Sequence, residues 1–314
     1  MPKVLTVGEP LVVFASQEQD ATLSESQTFK KYPAGAELNV AVGIAKLGYE
    51  CEYITQIGDD PFGVFLRSEL KKAGVGTKYV RQVKTGLTGI QFKQLVTKGD
   101  PNTIYYRRHS AATQVTVESF ETVKVHSNDF VHITGIFPAI STGARQLTDY
   151  LINEARSAGA TITFDPNLRP SLWADENTMI TNVNSLALTA NIVMPGLEEG
   201  QLLTGQQEPD GIANFYLQQS PTILAVIIKL GPEGAYLKLR EKSGRVIPGF
   251  TASRVVDTVG AGDGFDVGVL MGMMAGKSLP DAVTRGNAIG AMAIQKQGDN
   301  EGYPNKQQLE TFLM

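Results

Sequence analysis

The feature that most limits the fold of this chain is an alternation of two hydrophobic periods. Short continuous apolar runs recur at Val4 to Val7, Tyr53 to Ile57, Phe130 to Thr134, Thr161 to Phe164, Ile192 to Met194 and Ile223 to Lys229. Runs of this length and composition suit strands buried on both faces. Between them lie stretches with apolar residues at helical spacing, among them Glu37 to Leu47, which stops at Gly48, Ala144 to Ser157 and Gly211 to Gln219. Strand and helix in alternation predict βαβ crossovers, hence an α/β fold with a mainly parallel central sheet flanked by helices. The last third is Gly-rich up to Gly276, then helical from Leu279 to Gln295, with a short final helix from Lys306.

Two regions break this rhythm. Leu11 to Tyr32 and Thr88 to His109 alternate apolar and polar residues without a helical stretch, which predicts strands of a small separate sheet. Such strands could form a lid over a site or an ordinary solvated hairpin. No internal repeat or low-complexity linker divides the 314 residues, so 1–314 reads as one domain with that sheet as its appendage.

Composition removes several classes of function. The net charge is -4 and the Lys and Arg are scattered, which leaves no electrostatic footprint for a nucleic acid. No apolar stretch approaches the roughly 20 residues of a membrane helix, and MPKVLTVGEPLVVF lacks a signal peptide's layout. The one cysteine, Cys51, excludes an internal disulfide, and three scattered histidines argue against a zinc cluster. A reducing, cytoplasmic setting suits this inventory.

The most informative string is Asp257 to Gly268, DTVGAGDGFDVG, where glycine punctuation gives way to the apolar run Val269 to Ala275. A helix starting inside Gly260-Ala261-Gly262 points unpaired N–H groups and its positive dipole end at whatever lies in front, and an anion is the natural guest. Glycine at 260 and 262 lets backbone approach phosphate oxygens closely. Asp263 beside them could accept the proton of an attacking hydroxyl, or merely cap a tight turn. The string is neither a P-loop, since GxxxxGK[ST] occurs nowhere, nor a dinucleotide fingerprint, since Phe265 stands at the third glycine.

Position by position, Asp257 to Gly268 resembles the carboxyl-terminal signature of the ribokinase (pfkB) family. Similarity extends over nearly the whole chain, and it implies a ribokinase-like fold with a small β-sheet lid within 11–32 and 88–109. The implied reaction is transfer of phosphate from ATP, with Mg2+ and room for a monovalent cation, to a sugar hydroxyl. By that resemblance Asp263 is the catalytic base, and Gly260, Ala261 and Gly262 form the γ-phosphate's anion hole. Ala34 to Ala41 resembles the family's sugar-binding GGxxxN segment, with Ala34 in place of the first glycine, which implies sugar contacts from Gly35 and Asn39. GDDPFG at 58–63 resembles a turn that shapes the site.

PGLEEGQL at 195–202 resembles the NxxE element near magnesium and phosphates, with Glu198 in the glutamate position, acting on the metal indirectly, and Pro195 replacing the asparagine. Lys229, Gly231 and Gly234 resemble the strand and turn that border the nucleotide, and Asn287 an adenine-site residue. These could equally serve packing alone. Self-association through the lid is also implied.

Within the family, Glu37, the run Tyr105-Tyr106-Arg107-Arg108 and Asp165 to Trp173 look like 2-keto-3-deoxygluconate kinases. The physical discriminator is charge, because guanidinium groups can grip a sugar acid's carboxylate and fructose has none. Arg107 and Arg169 are expected to hold the acid end and Tyr105 to stack on the sugar, although a solvated Arg107 is the plain alternative. Gln91 stands where this branch often has tyrosine, at a hydroxyl-binding position. A fructokinase, another neutral-sugar or nucleoside kinase, and a silent sugar-binding protein are the competing readings.

Overall fold

The computed structural model describes residues 2–97 and 101–314. The chain opens with β1 (Val4–Val7), then leaves for β2 (Leu11–Gln19) and β3 (Phe29–Ala34) before α1 (Ala36–Lys46) and β4 (Cys51–Gly58). Next come α2 (Pro61–Lys72), β5 (Val80–Val83), and a second excursion through β6 (Ile90–Leu95) and β7 (Thr103–Tyr106). The alternation then runs β8 (Phe130–Thr134), α3 (Thr142–Ala158), β9 (Thr161–Asp165), α4 (Glu176–Ala187), β10 (Ile192–Val193), α5 (Leu197–Thr204), α6 (Pro209–Gln219) and β11 (Ala225–Lys229). A hairpin, β12 (Gly234–Leu239) and β13 (Arg245–Pro248), leads to α7 (Ala261–Met274), α8 (Leu279–Ala293) and α9 (Lys306–Leu313).

Nine of these strands form one sheet in the order β13-β12-β11-β10-β9-β8-β1-β4-β5. It is parallel from β11 to β5, with the β12–β13 hairpin antiparallel at one edge. From β1 the chain first builds outward through β4 and β5, then returns to build in the other direction from β8. That reversal makes the carboxyl ends of β1 and β8 a topological switch point, where open α/β sheets bind ligands.

The two excursions form a four-stranded sheet, β3-β2-β6-β7, as their alternating pattern predicts. Phe14 stacks on Phe92 at 5.3 Å and Tyr106 meets Phe92 edge-on at 5.9 Å, so aromatic cross-strand pairs hold the sheet. Of the expected lid stretch, 98–100 lie outside the described residues.

α7 is buried almost all round, which explains its apolar sequence. A Cβ at Gly268 would lie 2.5 Å from backbone atoms of Arg285 and Gly286, so glycine is what lets α8 pack against α7. α2, α4 and α5 and the β12–β13 hairpin are elements that the hydrophobic pattern did not predict. The GDDPFG turn proves to be the start of α2. Asp60 caps that helix through the N–H groups of Phe62 and Gly63, and its other oxygen accepts the Thr88 N–H at 2.8 Å, tying the helix to the base of the lid. None of the described helices is long and apolar enough to cross a membrane.

Candidate active site

A cleft of roughly 1270 Å³ lies between the switch point of the large sheet and the lid. α7 enters it amino terminus first. Gly260 holds a left-handed backbone (φ 77°), and a Cβ there would fall 1.8 Å from the Asp299 carbonyl oxygen, so the turn admits glycine alone. The Tyr303 hydroxyl donates to the Gly260 carbonyl at 2.6 Å and fixes the turn from behind. The first N–H groups of α7 have no partner within the helix. Gly262 lines the cleft, with the Lys229 ammonium 3.7 Å from where its Cβ would be. A helix amino terminus next to an ammonium group suits a phosphate.

Asp263 sits in the first turn of α7, buried but lining the cleft. Its two oxygens accept from two amides: Oδ2 from Asn39 Nδ2 at 2.8 Å, and Oδ1 from Asn167 Nδ2 at 3.2 Å. Burial pushes its pKa up to about 6; the Asn39 hydrogen bond opposes this, the Asp165 charge adds to it, and Lys229 and Arg169 oppose it. Asp263 is therefore ionised at neutral pH and basic enough to take a proton.

Asn39 is itself oriented, because its Oδ1 accepts from Asn300 Nδ2 at 2.9 Å. It lines the cleft as expected, but the contacts of its amide are with the carboxylate and Asn300. Asn167 has a left-handed backbone (φ 40°), rare for a residue other than glycine, and its amide also reaches Asp165 Oδ2 at 3.4 Å. Asp165 is paired in turn with Lys229 Nζ at 3.0 Å. Burial opposes the charge on Lys229, yet the carboxylates of Asp165, Asp266 and Glu199 more than offset it and hold the ammonium above its usual range. Burial likewise works against the Asp165 charge, and Lys229 overcomes it, keeping that carboxyl below the usual range.

Beneath the lid, Glu9 and Glu37 are buried. Glu9 accepts from Ser110 Oγ at 2.5 Å and from Arg107 Nε at 2.6 Å. Burial pushes Glu37 up to about 7, against a 2.5 Å hydrogen bond from Thr134 Oγ1 at the end of β8.

Most of the residues singled out from the sequence converge here. Gly35, Asn39, Gln91, Tyr105, Arg107, Arg169, Lys229, Gly260, Gly262 and Asp263 all line the cleft. Others do not. Glu198 is exposed on α5, and it is Glu199 that faces the cleft, its oxygens taking the N–H groups of Leu168 at 2.7 Å and Gly196 at 2.8 Å. Glu199 stands three residues after Gly196, the spacing of an NxxE element with glycine in place of the asparagine. Gly234 and Asn287 have packing roles: a Cβ at Gly234 would meet the Ile247 carbonyl at 2.2 Å, and Asn287 Nδ2 donates to the Ile247 and Pro248 carbonyls at 3.0 Å each. Gly231 turns the chain after β11 with φ 60°.

Arg107 reaches the cleft with Nε and Nη2 already bonded to Glu9. Arg169, by contrast, is exposed at the cleft and donates only to the Leu168 carbonyl beside it, at 2.8 Å, among the described residues. Arg108 lines the cleft as well.

Comparison with known proteins gives a consistent picture. Residues 1–306 match the pfkB family carbohydrate kinases. A 2-dehydro-3-deoxygluconokinase of Bacillus subtilis (strain 168) is 44% identical over 310 residues, spanning 98% of this chain and 94% of that protein. The crystal structure of a PfkB protein from Polaromonas sp. JS666 superposes with TM-score 0.88 at 37% identity, covering 99% of each chain. A fructokinase double mutant from Vibrio cholerae O395, bound to fructose, ADP and potassium, gives TM-score 0.88 at 25% identity, covering 100% of this chain and 99% of that one.

Proposed function

This chain belongs to the pfkB family of carbohydrate kinases, and on that footing we propose that it phosphorylates a terminal hydroxyl of 2-keto-3-deoxygluconate, also called 2-dehydro-3-deoxygluconate, using ATP. The observation that carries the phosphoryl-transfer chemistry is the placement of the Asp263 carboxylate in the first turn of α7, beside the N–H groups that would hold the γ-phosphate. The sugar hydroxyl oxygen forms its bond to phosphorus, its proton passes to Asp263, and ADP leaves. The rest of the site positions these groups: the two asparagine amides fix the carboxylate, and Lys229 and the helix terminus meet the phosphate charge.

Magnesium arrives with ATP as part of that substrate and neutralises phosphate charge when bound. Glu199 suits a water-mediated approach to it, since both of its carboxylate oxygens already accept backbone N–H groups. Burial pushes the Glu199 carboxyl up, with the Asp165 charge adding to the effect. Self-association through the lid belongs to the same proposal, supported by exposed Ile104, Tyr105 and Tyr106 on its edge strand β7.

The substrate assignment rests on Arg169, the exposed guanidinium at the cleft, with Arg108 beside the lid. A coupled ADP-release assay against sugar acids, fructose, ribose and nucleosides tests it. The wild type should prefer 2-keto-3-deoxygluconate, and preference for fructose or ribose over every acid would defeat the assignment. Arg169→Leu removes a charge-assisted contact worth about 1.5–3 kcal/mol, so kcat/KM on the acid should fall roughly ten- to a hundredfold. On a neutral sugar it should change less than about twofold. Equal losses on both would make Arg169 a phosphate ligand instead.

The pH profile is a second check on the base. Because Asp263 is pushed up to about 6 and works only when ionised, kcat/KM should rise with pH through about 6 and level off above it. A profile flat down to pH 4.5 would remove Asp263 as the base.

A further inference from the structure

β6 presents two polar side chains on one face, and one of them, Gln91, lines the cleft. Gln91 and Lys93 are two residues apart and so point the same way. Their cross-strand partners on β7 are Tyr105 and Thr103, and Gln91, Tyr105 and Thr103 all line the cleft. Lys93 reaches the loop that leads into α7. Its Nζ lies 3.3 Å from Asp257 Oδ2, with the two side chains 14% and 16% exposed, so the pair is largely shielded from solvent.

Asp257 organises that loop. Its Oδ1 accepts the Val259 N–H at 3.1 Å, and Oδ2 accepts the Gly298 N–H at 3.3 Å as well as the ammonium. The neighbouring Asp299 packs its carbonyl against Gly260, the turn that aims the α7 amino terminus, and lines the cleft. Burial pushes the Asp299 carboxyl up to about 7, and Lys93 is the charge that most opposes the shift. One lid ammonium thus pairs with Asp257, whose carboxylate holds the loop, and its charge also acts on Asp299, whose backbone carbonyl packs against the turn.

We propose that Lys93 is a positioning residue that couples closure of the lid over the sugar to assembly of the anion hole for phosphate. The inference rests on the kinase reading of the same cleft. When the lid sits down with Gln91 and Tyr105 on the sugar, Lys93 meets Asp257 and holds the 257–263 loop in its anion-binding shape. When the lid lifts, the loop loses that cation. Sugar and nucleotide should then favour each other's binding, reciprocally.

The test measures the dissociation constant of β,γ-methylene ATP with and without a saturating sugar that the wild type turns over. Sugar should tighten wild-type binding by about fivefold or more. In Lys93→Met that factor should fall to about 1 and kcat should drop about tenfold, while Lys93→Arg, which keeps the charge, retains most of both. Asp257→Asn should abolish the coupling from the other side, which keeps the test valid if Lys93→Met folds poorly. Wild-type coupling unchanged in Lys93→Met, or no coupling in the wild type despite turnover, overturns the latch and leaves the kinase reading standing. A wild type that turns over no sugar overturns both.

Discussion

Asp263→Asn should lower kcat by about 10²–10⁴-fold, the span that a positioned general base contributes, while binding of an ATP analogue stays within about threefold. The substitution keeps size and shape and removes only the ability to take a proton. Its surroundings tolerate the change. Asn39 is locked by Asn300 and keeps donating to the remaining oxygen, so the new NH2 group faces Asn167, whose own amide must turn away. That costs about one hydrogen bond, roughly 1 kcal/mol. An opposing effect depends on pH. Since the folded Asp263 titrates near 6, above an unfolded carboxyl, its contribution to stability is fully present at low pH and lost as pH rises through about 6. The variant escapes that loss, so its stability relative to wild type should improve between pH 5 and 8. Single-turnover kinetics and urea unfolding at both pH values measure the two effects, and turnover within tenfold of wild type would reject the base assignment.

The backbone plan of the site was legible in the sequence because it is written in glycines and in period. Gly260 and Gly262 mark a turn that only glycine can make and a helix that starts on open space, and both features survive without knowledge of any partner. The small sheet was legible from alternation alone. What stayed hidden depends on partners remote in sequence. Asn300 and Asn39, 261 residues apart, meet behind the base, and no local signal marks Asn300. Asn167 lies in the Asp165–Trp173 run singled out from the sequence, but its bond to Asp263, 96 residues away, and its left-handed backbone appear only in the structure. Arg107 reads as a guanidinium free to hold the substrate's acid end until Glu9, 98 residues earlier, is found bonded to it.

Glu198 and Glu199 differ for a geometric reason. Successive residues on a helix point about 100° apart, so the choice turns on where α5 begins. The sequence does carry one clue to that start: a glutamate three residues beyond Gly196 is the N3 position of a capping box, and Glu199 does bond back to the Gly196 N–H.

Lys229→Met should cost about 3–5 kcal/mol of stability, the penalty for leaving a buried charge without its partner. Methionine fills nearly the same space, so little of the loss comes from a cavity. Charge is the cause. Lys229 Nζ lies 3.0 Å from Asp165 Oδ2 and 3.3 Å from Asp266 Oδ1, with only 15% of its side chain exposed. Burial already pushes Asp266 well above the usual carboxyl range, and the Asp165 charge adds to the shift. Asp165 Oδ1 and Asp266 Oδ2 have no hydrogen-bond donor among the described residues. In the wild type Asp165 is held low, so its pairing stabilises the fold at neutral pH and is lost as pH falls through its folded pKa. Without the ammonium, burial dominates and Asp165 moves above its unfolded value. The sign then reverses: its contribution is present at low pH and lost as pH rises. The deficit of the variant should therefore be greatest at pH 8.5 and shrink toward pH 5, and adding Asp165→Asn should recover part of it at pH 8.5. Urea unfolding of wild type, Lys229→Met and the double variant at pH 5, 7 and 8.5 measures this. A deficit under about 1 kcal/mol, or one independent of pH, would mean that the ammonium is not what holds the two carboxylates together.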